Sequence, residues 1–152
     1  MENTETNTPQ TVQEEEKTQW VKMIKPNNVF NVDCSSILDF FKWWCVMLRP
    51  FIKLTDRETD VIASFLKQRW ELSKSISNES ILDTVLMSED TISKVVEECN
   101  MTRQYFYVIH STLKSKGVIS KNGIIHKKLI PNTRDWDNGT FRMLIKLNEA
   151  SI

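Results

Sequence analysis

Residues 91–131 read TISKVVEECNMTRQYFYVIHSTLKSKGVISKNGIIHKKLIP, and this stretch decides the fold. Ile92, Val95, Val96 and Cys99 fall at i, i+3, i+4 and i+7, the spacing of one apolar helix face. Ser88-Glu89-Asp90-Thr91 opens that helix with an acidic first turn, which suits the positive end of a helix dipole. After Cys99 the chain must turn sharply at Asn100, and asparagine is one of the few non-glycine residues that tolerate left-handed backbone. Met101 can plug the angle between two helices, and Thr102 is a good N-cap for a second helix over residues 103–116. Phe106, Ile109 and Leu113 form its inner face, so Gln104, Tyr107, Val108, Ser111 and Lys114 face outward. Gly117 stands at its C-terminal end. Residues 118–121 and 124–130 then read as two strands, joined by Asn122-Gly123 in a type I′ turn.

The charge of the chain is concentrated in the same stretch. The whole sequence of 152 residues balances 20 basic against 20 acidic side chains. From residue 99 to 134, however, it carries Arg103, Lys114, Lys116, Lys121, Lys127, Lys128 and Arg134 and no Asp or Glu. A local surplus of cations on a helix–turn–helix and hairpin is the electrostatic footprint of a nucleic-acid reader. Thr102, Arg103, Gln104, Tyr107, Ser111 and Lys114 on the second helix, with Lys121, Lys127 and Lys128 on the hairpin, are the expected DNA-binding residues. Arg103 and Gln104 suit base edges, because Arg can meet guanine and Gln adenine with two hydrogen bonds. The lysines suit phosphates, which orient a protein without specifying sequence.

Outside this core, residues 1–18 lack periodicity and core formers and read as a disordered acidic tail rather than a signal peptide. Residues 19–53 hold a possible strand at 20–24, a short extended piece at 29–32 and the most apolar helix, Ile37–Leu48. That helix must stop before Pro50, and a helix apolar nearly all round packs on its own protein or on a partner. Residues 54–131 form the main domain, opened by the capping box Thr55-Asp56-Arg57-Glu58. Its first helix carries Val61, Ile62, Phe65 and Leu66, and after a restart at residues 77–80 a short helix carries Ile81, Leu82, Val85 and Leu86. Residues 132–152 are a C-terminal extension in which Phe141, Met143, Ile145 and Leu147 alternate as in a strand.

Over residues 91–131 the chain resembles the winged helix-turn-helix, similar to MarR-type and phage-type DNA-binding domains. The stripe Ile92/Val95/Val96, the turn Asn100-Met101-Thr102, the opening Arg103-Gln104, the ending Leu113-Lys114-Ser115-Lys116-Gly117-Val118-Ile119 and the Asn122-Gly123 wing carry the likeness. His110 stands where the family usually has an aliphatic residue, and Tyr105, Phe106 and Tyr107 where small polar residues are frequent. The resemblance implies a mainly α fold with a small β component that binds double-stranded DNA; the sparse, odd cysteines point to an intracellular, cytoplasmic setting, and the Ile37–Leu48 helix or the terminal strands are the expected contacts of a homodimer. Such a protein would serve transcriptional regulation or a phage replication or packaging step. The alternative is a winged helix used as a protein–protein module in a virion or transcription complex.

No catalytic, metal or cofactor site is expected. Cys34, Cys45 and Cys99 stand far apart and read as reduced thiols, His110 and His126 lack neighbouring ligands on the chain, and no glycine-rich phosphate loop is present. No apolar run approaches the length of a membrane helix, about 20 residues.

Overall fold

The computed structural model describes residues 32–133. The acidic tail, the strand expected at 20–24, the C-terminal strand at 141–147 and Arg134 lie outside the described residues. The chain divides after Asp33, and everything below concerns the unit that begins at Cys34.

Five helices make up this unit among the described residues: α1 (Ile37–Leu48), α2 (Asp56–Ser73), α3 (Glu79–Leu86), α4 (Glu89–Glu98) and α5 (Arg103–Ser115). None is long and apolar enough to cross a membrane. Each begins at a polar cap: Ser36, Thr55, Asn78, Ser88 and Thr102 accept hydrogen bonds from amides of the first turn. At α2 the capping box is complete, since Glu58 also accepts from the Thr55 amide at 2.8 Å. The cap of α3 is Asn78, whose carbonyl serves the amides of Ser80 and Ile81.

Helix α2 is the hub on which the other four pack. Its residues from Glu58 to Leu66 are nearly all buried, because small Ala63 and Ser64 let neighbours close in on faces that Val61, Ile62 and Phe65 do not fill. Phe65 meets Phe106 of α5 with ring centroids 5.9 Å apart. On another flank α1 buries Phe41 and Cys45, and the Trp44 indole N–H donates to the Leu129 carbonyl at 2.7 Å. The apolar character of α1 is thus only half absorbed, and Trp43, Val46 and Met47 remain exposed with Phe51 just beyond. Ile81 of α3 is also exposed, whereas Leu82 and Leu86 are buried.

Helices α4 and α5 end in the same way, each by a left-handed residue that closes a Schellman motif. Asn100 has φ +48, with its amide on Glu97 O and the Met101 amide on Val96 O. Gly117 has φ +73, with its amide on Lys114 O and the Val118 amide on Leu113 O. These two residues set the directions in which the chain leaves each helix.

The hairpin corrects two expectations. No strand forms at 118–121 or 124–130 among the described residues. A single antiparallel bridge pairs Ile119 with Ile125, bracketed by Ser120 N–H to Ile124 O (2.8 Å) and His126 N–H to Val118 O (3.0 Å). Pairing stops there because His126 caps a 3-10 turn, Lys127–Leu129, accepting from the Lys128 amide at 3.3 Å. That turn drives Leu129 into the core beneath Trp44. Nor is the connection a type I′ turn: Gly123 (φ +84) is left-handed but Asn122 is not, and the Gly123 amide returns to Ser120 O at 2.9 Å. This is the longer hairpin loop that needs one left-handed glycine rather than two such residues.

The caps generate two expectations. Asn100→Ala places a Cβ-bearing residue without asparagine's compensating local bonding in left-handed backbone, and should cost about 1 kcal/mol. Asn100→Gly should match or exceed the parent in thermal unfolding; equal melting of the alanine variant would contradict the strained cap. At Glu58, burial pushes the carboxyl pKa up, but the Lys116 ammonium at 2.7 Å and the Thr55 amide outweigh it, leaving the pKa below the ordinary value. A depressed carboxyl stabilises the fold above its unfolded pKa, about 4.3, and loses that contribution as pH falls through the folded value. Glu58→Gln should therefore lower the melting temperature near pH 7 and flatten its acid limb.

Candidate nucleic-acid interface

The α4–α5 connection has four residues, Cys99 to Thr102, and the left-handed Asn100 redirects the chain within it. Met101 packs against the core at this corner, as its place in the sequence suggests. The inner face of α5 is fixed by Phe106, Ile109 and Leu113, all buried. Gln104, Tyr107, Val108, Ser111 and Lys114 consequently lie on the solvent side, together with Tyr105. His110 sits half-buried between the two sides and stacks on Phe106. Burial and the nearby Lys114 both lower its pKa, and its buried Nε2 has no hydrogen-bond partner, so the neutral ring fits the site.

The outward face mixes chemistries. Val108 is 58% exposed and Tyr105 and Tyr107 each 45%, an apolar centre unusual for solvent but suited to a partner surface. Around it stand the amide of Gln104, the hydroxyl of Ser111 and the ammonium of Lys114. Thr102 is exposed, but its hydroxyl is already committed to the Tyr105 amide at 3.2 Å.

The cations that are contiguous in sequence part company in space. Arg103 pairs with Glu89 of α4, Lys116 reaches the buried Glu58 and the Lys53 carbonyl, and Lys127 lies 3.7 Å from Glu79 of α3. Lys116 is thus a structural tether, closing the end of α5 onto the start of α2. Lys127 lies on the wall of a cleft of about 600 Å³ that also takes in Arg69, Trp70 and Leu82. Lys114, Lys121 and Lys128 form no ion pair among the described residues. The acid-free stretch of sequence is therefore partly neutralised by acids from α2, α3 and α4, which its own residues could not reveal.

The hairpin turn is anchored near the start of α4. Gly123 is buried against Met87, where an added Cβ would come 3.1 Å from the Met87 Cγ. Lys121 is thereby held close to the α3–α4 junction, whereas Lys127 lies by Glu79 at the opposite end of α3. The two lysines expected to act together belong to different ends of one helix. Glu89, read from the sequence only as part of an acidic first turn, and Ser93, not singled out there, prove to be direct neighbours of Arg103. The spacing of Glu89 from Arg103 gave no signal, since the turn at Asn100 brings them together.

No family model, characterised protein or solved structure matches this chain.

Gly123→Ala should lower stability by about 1 kcal/mol or more, combining left-handed strain with crowding at Met87. The fluorescence-detected melt should fall by several degrees, while Asn122→Ala at the neighbouring exposed position should change little. Equal melting of both variants would contradict the anchored turn.

Proposed function

We propose that this chain binds double-stranded DNA as a winged helix-turn-helix protein, with α5 entering the major groove and the 118–125 hairpin as a reduced wing. The observation that carries the reading is the solvent face of α5. It holds Gln104, Ser111 and Lys114, contributes no acid of its own, and rises from an inner face locked into the core. Gln104 in the first turn is placed where recognition helices meet base edges, and Lys114 and Lys121 are free to meet phosphates. Tyr107 and Val108 supply apolar contact of the kind that thymine methyl groups accept.

The role that fits is binding rather than catalysis, in transcriptional control or in replication or packaging of a phage-like genome, within the host cytoplasm. Two copies would give two half-sites, and the exposed strip Trp43, Val46, Met47 and Phe51 supports pairing through α1. A second reading is favoured by the same tyrosines and Val108: α5 as a protein-docking face in a virion or transcription complex.

Anisotropy of a labelled mixed-sequence duplex across a salt series separates the two. With about three to four phosphate contacts, log affinity should fall against log salt with a slope near −3. Lys114→Ala with Lys121→Ala should weaken binding and flatten the slope by about 1.8. Absence of binding at low salt would remove the DNA reading and leave the docking face.

A further inference from the structure

Arg103 is the only arginine on the candidate interface among the described residues, and groups of α4 hold its guanidinium. One terminal nitrogen donates to Glu89 Oε2 at 2.5 Å and the other to Ser93 Oγ at 2.5 Å. The Ser93 hydroxyl hydrogen is given to the Glu89 backbone carbonyl at 2.8 Å, which turns an oxygen lone pair toward Arg103. Tyr107, one turn along α5, brings its hydroxyl 3.5 Å from the other Glu89 oxygen. Three side chains from two helices thus fix one arginine at the corner where α5 begins.

The pair is open to water, with the Arg103 side chain 47% and that of Glu89 68% exposed. Such pairs add little to folding, at most about fivefold in an equilibrium constant, so the contact is a poor explanation for stability. Its effect on a ligand is larger. A phosphate approaching Arg103 meets a carboxylate beside the guanidinium, so the attraction that draws phosphates to arginine is cancelled. A guanine edge carries two acceptors and no net charge, so Glu89 repels it less than it repels a phosphate. The guanidinium keeps its Nε hydrogen and the second hydrogens of both terminal nitrogens, enough for a bidentate contact.

We infer that Glu89 is a positioning residue for base readout: by pairing with Arg103 it withholds that arginine from phosphates and presents it to a neutral guanine edge. This rests on the DNA reading above. It makes the acidic start of α4 a device for discrimination, in which an unfavourable contact with the wrong ligand supplies the selectivity.

The test is a double-mutant cycle of the full chain with Glu89→Gln, Arg103→Ala and both together. The probes are a mixed-sequence duplex containing G·C pairs and an A·T-only duplex, each of about two helical turns. In Glu89→Gln, Arg103 becomes a phosphate contact. Both duplexes should then bind about fivefold to tenfold tighter near 0.1 M salt, with a slope steeper by about 0.9. The preference for the mixed duplex should shrink. In the Arg103→Ala background Glu89→Gln removes a carboxylate that repels both duplexes alike, so it should leave the ratio of the two affinities unchanged, as expected if Glu89 sets the preference through Arg103. A change in that ratio without Arg103, or an unchanged preference with it, in proteins that bind DNA, overturns the inference and spares the DNA reading. Failure of all four proteins to bind either duplex at low salt removes both.

Discussion

The burial of α2 is the constraint on which the described fold depends. Four helices meet it, and its central residues have almost no surface left. Phe65 against Phe106 sets the seat of α5, so the outward direction of Gln104, Ser111 and Lys114 follows from which residues fit beneath. Two carboxylates pair several of the polar groups in this hub. Glu58 serves the Thr55 amide and the Lys116 ammonium, and Glu98 of α4 takes the Lys67 ammonium and the Ser64 hydroxyl. The first ties the end of α5 to the hub, and the second ties α4 to it.

Local chemistry was legible in the sequence wherever it acts over a few residues. The Thr55–Glu58 box, the Ser88 and Thr102 caps, the left-handed Asn100 and Gly117, and the inner stripe of α5 all stand where their residue types place them. These features depend on amides and side chains within one or two turns, which a linear reading contains. The apolar α1 was legible as a helix, with its ends, but not in how much of it would be covered.

What escaped the sequence is long-range. Alternating residues after Gly117 suggest two strands, yet the core draws in Leu129 and His126 caps a 3-10 turn, so the ladder ends after one bridge. The charge pattern misled for a related reason. Seven cations without an acid look like one basic face, but Glu58, Glu79 and Glu89 come from other helices to meet three of them. Electrostatics is a property of the folded surface, and only Lys114, Lys121 and Lys128 of the described cations in that stretch keep their charge unpaired. The α5 face is accordingly less basic than its sequence, with tyrosines and Val108 at its centre.

An amide footprint tests the central claim most directly: backbone ¹H–¹⁵N spectra of the protein recorded with and without a short duplex. The account requires the largest shifts on α5 from Arg103 to Lys114 and at the hairpin turn around Lys121, with α1 unchanged except where a dimer already covers it. Shifts confined to the exposed strip of α1, or no change anywhere at low salt, would contradict it.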